Sequence, residues 1–243
     1  MRSTIGMQTI RLLDVVRDPS LIPFVYDYCD QWCRYCRATP RCLFYRTRDE
    51  GRAGDPRDPL TVERFEAMLE EGTRFAAAIA DVTGSAVAQL DYDLAAPERS
   101  PGPPAIGDPL EVLGRTYMMR ANRFLVRSGL DISRDPYFDD ATPEKIVAWH
   151  HMLIASKIFR ALVAADRARH GVDLQADALG TAKLVLVSID RTLAALGEMG
   201  RRHRGPDPGV LTGTLTALRA GVEARFPGAR AFVRVGLDGA ATC

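Results

Sequence analysis

Apolar residues recur three and four positions apart along most of this chain, which is the spacing of an amphipathic α-helix. The pattern predicts a helix that opens with Thr142 and Pro143, because a threonine hydroxyl caps free backbone N–H groups and proline suits a first helical turn. At most one short strand is expected, at residues 231–235. The predicted helices cover residues 60–82, resuming after Gly84 towards Leu94, and then 110–127, 142–170, 176–199 and 209–225.

These elements predict an all-α fold, a helical bundle that forms a single domain over residues 1–243. With 243 residues, of which 47% are hydrophobic, the chain is long enough to bury a sizeable core. The proline-rich residues 95–109 are expected to connect two helices of the bundle. Within the domain, we expect a cysteine-rich metal-site segment at 21–48, the bundle at 60–226 and a short C-terminal tail at 227–243.

Four cysteines lie within fourteen residues, at Cys29, Cys33, Cys36 and Cys42. The first three share one face of an α-helix, and Pro40 cannot lie inside such a helix, so the segment is expected to be helical through Cys36 and then to reverse. A return loop carrying Cys42 would then complete a four-thiol site. The spacing C-x3-C-x2-C-x5-C therefore predicts a helix-loop site for a metal or an iron-sulfur cluster.

Two other interpretations of the cysteines depend on the surroundings. Inert core thiols are disfavoured because three arginines stand between them. Disulfides are disfavoured because the first twenty residues show no secretory signal and no stretch is apolar enough to cross a membrane. A cytoplasmic location without membrane association is expected, and thiols stay reduced there.

A 4Fe-4S cluster is favoured over zinc because the ligands form one tight run, whereas structural zinc sites usually pair two separate cysteine knuckles. The run from Cys33 to Cys42 resembles the cluster loop of the endonuclease III family, which has C-x6-C-x2-C-x5-C. This resemblance implies a ligand spacing and no glycosylase activity. Cys29 to Cys36 also resembles the C-x3-C-x-aromatic-C motif of radical S-adenosylmethionine enzymes, but there Cys42 would occupy the iron that this family leaves open.

A broader resemblance is to an uncharacterised family of helical bacterial proteins. The strings that carry it are YCDQWC at residues 28–33, TAK at 181–183 and IDR at 189–191. The resemblance implies one continuous helical unit from about residue 21 to residue 236. It implies no activity.

The charge pattern around the cysteines agrees with an anionic metal centre. No Asp or Glu occurs from Gln31 to Arg48, and Arg34, Arg37 and Arg41 would offset the negative charge of a four-thiolate site. The same arginines could instead contact a nucleic acid or another anionic partner, which we favour less. The formal net charge of the whole chain is only +1, so it is no general polyanion binder.

The bundle offers a second candidate site. No histidine follows a glutamate by three residues, so a di-iron carboxylate centre is not expected. Three function classes remain: a cluster protein with a structural, electron-transfer or redox-sensing role and a redox or protein partner, a zinc-stabilised regulatory module, or an enzyme. The candidate residues for a polar pocket in the bundle are Trp149, His150, His151, Lys157, Lys183 and Asp190. The alternative is that these residues are helix-surface groups or buried ion pairs.

Overall fold

The computed structural model describes residues 18–22, 25–45, 105–130, 141–170, 174–202 and 205–238. The predicted helix at residues 60–94 and most of the connection at 95–109 lie outside these ranges. The chain divides into two compact units, one of residues 1–26 and 33–100 and the other of residues 27–32 and 101–243. The prediction of a single domain over 1–243 stays a prediction, since much of the first unit lies outside the described residues.

Four α-helices build the described part of the second unit, and they confirm the helices predicted from residue 110 onwards. Helix α2 packs against α1 and α3, and α4 packs against the same two helices, so the four form a ring around one core. The described residues contain no β-strand, and residues 231–235 form turns and irregular backbone. The helices are α1 Pro109–Arg127, α2 Pro143–Arg169, α3 Gln175–Arg201 and α4 Gly209–Arg225.

The starts of α1 and α2 follow from capping side chains and proline. The Asp108 carboxylate accepts a hydrogen bond of 2.8 Å from the Leu110 N–H, and Pro109 occupies the first turn. Thr142 Oγ1 accepts from the Lys145 N–H at 3.4 Å, ahead of Pro143. The predicted start of α2 at Thr142 is therefore confirmed.

The core of the ring is made of aliphatic side chains from all four helices. Gly114 lets α1 approach α2 closely, because a Cβ atom there would lie 3.1 Å from Ile158 Cδ1. Burying such side chains is the main stabilising contribution in a bundle of this kind. The largest fully buried aliphatic side chains are Leu125, Val147, Ile154, Ile158, Leu184, Leu186, Ile189, Leu196, Leu215 and Leu218.

Residues 27–32 belong to the second unit and are attached to its helices by specific contacts. The Tyr28 ring lies on α3 at Gly180, where a Cβ atom would come within 2.5 Å of the ring. The edge of the same ring meets Phe232 at a centroid distance of 5.4 Å. Arg234, which is buried, donates to the Tyr28 carbonyl at 3.2 Å and also pairs with Asp238. Glycine at position 180 is thus required for the seating of this segment.

The expectation of an α-helix through Cys36 is wrong. The described backbone forms three short 3-10 turns instead, Val25–Tyr28, Cys33–Tyr35 and Thr39–Arg41. The physical cause lies at Asp30 and Gln31. The Asp30 side chain accepts a hydrogen bond from the Trp32 N–H at 3.1 Å, and Gln31 adopts the left-handed region with φ of 58°, which ends helical geometry there.

Helix α2 is the described helix that is long and apolar enough to cross a membrane, by length and composition alone. Many of its residues, including Val147, Ile154 and Ile158, are buried inside the bundle. The core helix of a soluble protein passes the same test, so a soluble protein is a plausible interpretation of this feature.

Candidate functional site

The four cysteines are all thiols, and the structure assigns them to different units. Cys33, Cys36 and Cys42 belong to the first unit, in which Cys42 is buried and the other two are partly exposed. The Cys36 N–H donates to the Cys33 carbonyl at 3.1 Å, and Thr39 Oγ1 donates to the same carbonyl at 2.7 Å. Cys29 belongs to the second unit and is partly exposed.

The described residues include all four cysteines, yet no three of their Cys, His, Asp or Glu side chains are grouped so as to hold a metal ion. The common helical face expected for Cys29, Cys33 and Cys36 does not exist, because residues 25–42 form 3-10 turns and irregular backbone in place of an α-helix. A metal centre at the four cysteines therefore stays a prediction.

Cys29 lies in a charged environment within the second unit. Burial lowers the pKa of the Lys157 ammonium and the nearby Arg160 lowers it further, whereas negative charge at Cys29, Asp177 and Asp27 acts in the opposite direction. Burial also raises the pKa of Asp27, although Arg160 opposes that change. Arg160 itself is held by an ion pair of 2.5 Å with Asp177. Lys157 is thus a cation close enough to Cys29 to interact with a negative charge on its sulfur.

The three arginines between the cysteines are all exposed. Arg41 is oriented by its Nε, which donates to the Ser20 carbonyl at 2.7 Å. Guanidinium groups are the side chains that commonly offset an anionic centre or contact an anionic partner. The role of Arg34, Arg37 and Arg41 in charge compensation stays a prediction.

The six candidate pocket residues of the bundle have different contacts, and a pocket that all six share stays a prediction. Lys183 Nζ donates to the Arg230 carbonyl at 2.5 Å, and Asp190 pairs with the Arg230 guanidinium. Lys157 lies instead near Asp27, and His150 is buried. Only Trp149 and His151 line the groove described below. Residues one or two turns apart share a face of a helix. The six candidates lie along two long helices, α2 and α3, and therefore have different neighbours.

Asp30 is the residue on which several of these contacts converge. Its carboxylate accepts from the Trp32 N–H, pairs with Arg191 and lies 3.7 Å from His150 Nε2. Its backbone carbonyl accepts from Trp149 Nε1 at 2.9 Å. Burial would raise the pKa of Asp30, but the proximity of His150, the charge of Arg191 and the hydrogen bond from the Trp32 N–H outweigh it, so the pKa is lowered. Asp30 is therefore a charged anchor.

Both ring nitrogens of His150 face oxygen atoms. Nδ1 lies 2.9 Å from the Ile146 carbonyl. Nε2 faces the Asp30 carboxylate. The imidazole edge packs against Trp32 with centroids 6.1 Å apart, and Trp32 stacks on Trp149 at 5.2 Å. The two tryptophans and His150 form one packed cluster around Asp30.

Beside this cluster of Trp32, Trp149 and His150, a groove of about 610 Å³ runs between α1, α2 and residues 30–31. His151 lies in its wall, with Nδ1 donating to the Ala148 carbonyl at 2.6 Å. Burial lowers the pKa of His151, although that bond opposes the change, so the imidazole is neutral near pH 7. The groove is lined by Asp30, Gln31, Glu111, Arg115, Met118, Ala148, Trp149, His151, Met152, Leu153, Ala155, Ser156 and Phe159.

The sequence did not identify Asp30 and Glu111, which line the groove, or Arg191, which pairs with Asp30. One signal was available for Asp30, which is the last acid before an arginine-rich stretch without Asp or Glu. Its partners Arg191 and His150 are distant in sequence, and no local spacing connects them. Glu111 gave no signal because it also fits the first turn of a helix, where acids are common.

Comparison with known proteins adds no assignment. No protein-family model, no curated protein and no solved structure matches this chain.

Proposed function

We propose that this chain is a cytoplasmic metalloprotein that binds a 4Fe-4S cluster through Cys29, Cys33, Cys36 and Cys42. The observation that carries the proposal is the concentration of four thiols in fourteen residues. Iron-sulfur clusters are commonly held by four cysteine thiolates from one short run of chain. The role served would be structural, electron-transferring or redox-sensing, with a redox or protein partner.

The electrostatic surroundings support the proposal. Only the thiolate form of cysteine binds a metal, and nearby cations favour that form. Lys157 provides such a cation beside Cys29. Arg34, Arg37 and Arg41 add three more within the same stretch of sequence.

The backbone between the cysteines consists of short turns rather than the continuous helix expected. A hydrogen bond of 3.2 Å from the Cys42 N–H to the Thr39 carbonyl shapes the last of these turns. Since no three potential metal ligands are grouped among the described residues, binding is expected to change the conformation of residues 29–42. Zinc bound by the same thiols is the alternative, in which case the segment would be an interaction or regulatory module.

The test is anaerobic purification followed by measurement of iron, sulfide and zinc. We expect about four irons per chain and a broad absorbance near ~400 nm. A variant with all four cysteines replaced by serine should lose the metal, whereas Cys243→Ser, which changes the fifth cysteine, should keep it. Zinc in place of iron would favour the regulatory module. Protein that contains neither metal, or equal metal in the four-serine variant, would reject the proposal.

A further inference from the structure

We propose that the groove between α1 and α2 binds a small organic cation, a primary amine carried on an apolar aromatic or alkyl body. This inference does not depend on the metal proposal, because it concerns side chains of α1, α2 and residues 30–31 only. Its basis is a cavity with a largely apolar lining that also includes two carboxylates and a neutral imidazole.

The size and floor of the groove suit a small molecule. Its volume of about 610 Å³ falls within the range of roughly 300–1,000 Å³ that is typical of ligand pockets. Thioether and aromatic side chains adapt to flat apolar bodies and attract them by dispersion. The apolar lining comprises Met118, Trp149, Met152, Leu153, Ala155 and Phe159.

His151 provides a fixed acceptor in the wall. Because its Nδ1 proton is committed to the Ala148 carbonyl, the other ring nitrogen of the neutral imidazole offers a lone pair. The side chain is almost completely buried, so its ring cannot turn freely. A ligand therefore meets an acceptor at this point, and it gains a hydrogen bond only if it brings a donor.

The charges of the lining favour a cation over an anion. Asp30 and Glu111 contribute two carboxylates, of which Asp30 is already paired with Arg191 outside the lining, and Arg115 contributes one guanidinium. Glu111 is mostly buried, whereas Arg115, which pairs with it at 2.9 Å, is more than half exposed. An exposed arginine can turn into solvent at little cost, which leaves Glu111 to pair with an ammonium group. An anionic ligand would instead meet Glu111 at short range.

The wall beside residues 30–31 is held in place before any ligand arrives. Trp149 is stacked on Trp32, and its Nε1 donates to the Asp30 carbonyl. Gln31 keeps a left-handed backbone that is unfavourable for a residue with a side chain, and such strain concentrates at functional sites. A preorganised wall reduces the entropy lost on binding.

The test compares three probes that share a phenyl body and differ in the head group: phenethylamine, phenethyl alcohol and 3-phenylpropanoate. Trp149 lines the groove and Trp32 stacks on it, and these are the two tryptophans of the chain, so tryptophan fluorescence reports occupancy directly. We expect the amine to bind about tenfold more tightly than the alcohol, and the carboxylate more weakly than either. Equal binding of the three, or preference for the carboxylate, would overturn the proposal.

Variants of the full chain locate the binding site. Glu111→Gln should remove most of the preference for the amine over the alcohol, and Ala155→Phe, which adds no tryptophan, should fill the groove and weaken all three probes. Glu198→Gln is the matched control, because Glu198 is an exposed α3 residue paired with Arg202 outside the groove lining. Each variant is accepted only if its circular dichroism and unfolding midpoint match the parent chain. If folded Glu111→Gln and Ala155→Phe both bind the amine as the parent does, the groove is not the site.

Discussion

His150 on α2 lies with its Nε2 atom 3.7 Å from Oδ2 of Asp30, and its imidazole is completely buried. This contact joins the N-terminal segment to the middle of the bundle across more than a hundred residues of sequence. Arg191 on α3 pairs with the same carboxylate. The segment that carries Cys29 is therefore attached to two helices through one acidic side chain.

Asp30→Asn should destabilise the protein. The new amide would keep an acceptor for the Trp32 N–H but would lose the charge that faces His150 and Arg191. Hydrogen bonds to charged groups contribute more than neutral ones, so we expect a loss of about 1–2 kcal/mol in the free energy of unfolding, measured in urea. Asp190→Asn, which alters an exposed ion pair with Arg230, should cost less than about 1 kcal/mol. Equal losses for the two variants would contradict the anchoring role of Asp30.

Gly180→Ala should dislodge Tyr28. The added methyl carbon would lie 2.5 Å from the ring, which is an overlap. Overpacking of this kind lowers the free energy of unfolding by about 1–3 kcal/mol. The better helix propensity of alanine would return less than ~1 kcal/mol of it. Unfolding in urea would measure the net loss.

The matched control is Gly213→Ala on α4, where no neighbouring atom lies within 4 Å of the added carbon. That change should stabilise the protein by up to ~1 kcal/mol, since alanine is the better helix former. If both substitutions stabilised the protein, the seating of Tyr28 on Gly180 would be incorrect.

His151 should make stability depend on pH between neutral and mildly acidic conditions. Burial lowers its pKa in the folded protein below the ordinary 6.5, so the unfolded chain takes up a proton first as the pH falls. The contribution of neutral His151 to the free energy of unfolding is complete above pH 6.5. It is lost as the pH falls through the lowered pKa that His151 has in the folded protein. Urea midpoints measured from pH 7.5 downwards should decline, and His151→Gln should decline less. His170→Gln, which changes an exposed histidine, should follow the parent protein.

Lys157→Met should slow the reaction of Cys29 with iodoacetamide. Removing the ammonium group reduces the fraction of Cys29 present as thiolate, which is the reactive form, so we expect a severalfold lower rate. Alkylation of metal-free protein at Cys29, followed by mass spectrometry of the peptide, measures this rate. Lys183→Met, which removes a lysine bonded to the Arg230 carbonyl, should leave the rate unchanged. An unaltered rate in Lys157→Met would show that Lys157 does not act on this thiol.

The sequence by itself determined the four described helices of the bundle and the start of α2. Apolar spacing and the local signals Thr142 and Pro143 depend on neighbours within a few residues, and such signals can be interpreted without knowing the fold. The tertiary structure decided the conformation around the cysteines, where the Asp30 turn and the left-handed Gln31 replaced the expected helix. It also decided which polar residues meet, because Asp30, His150 and Arg191 are brought together only by packing between distant segments.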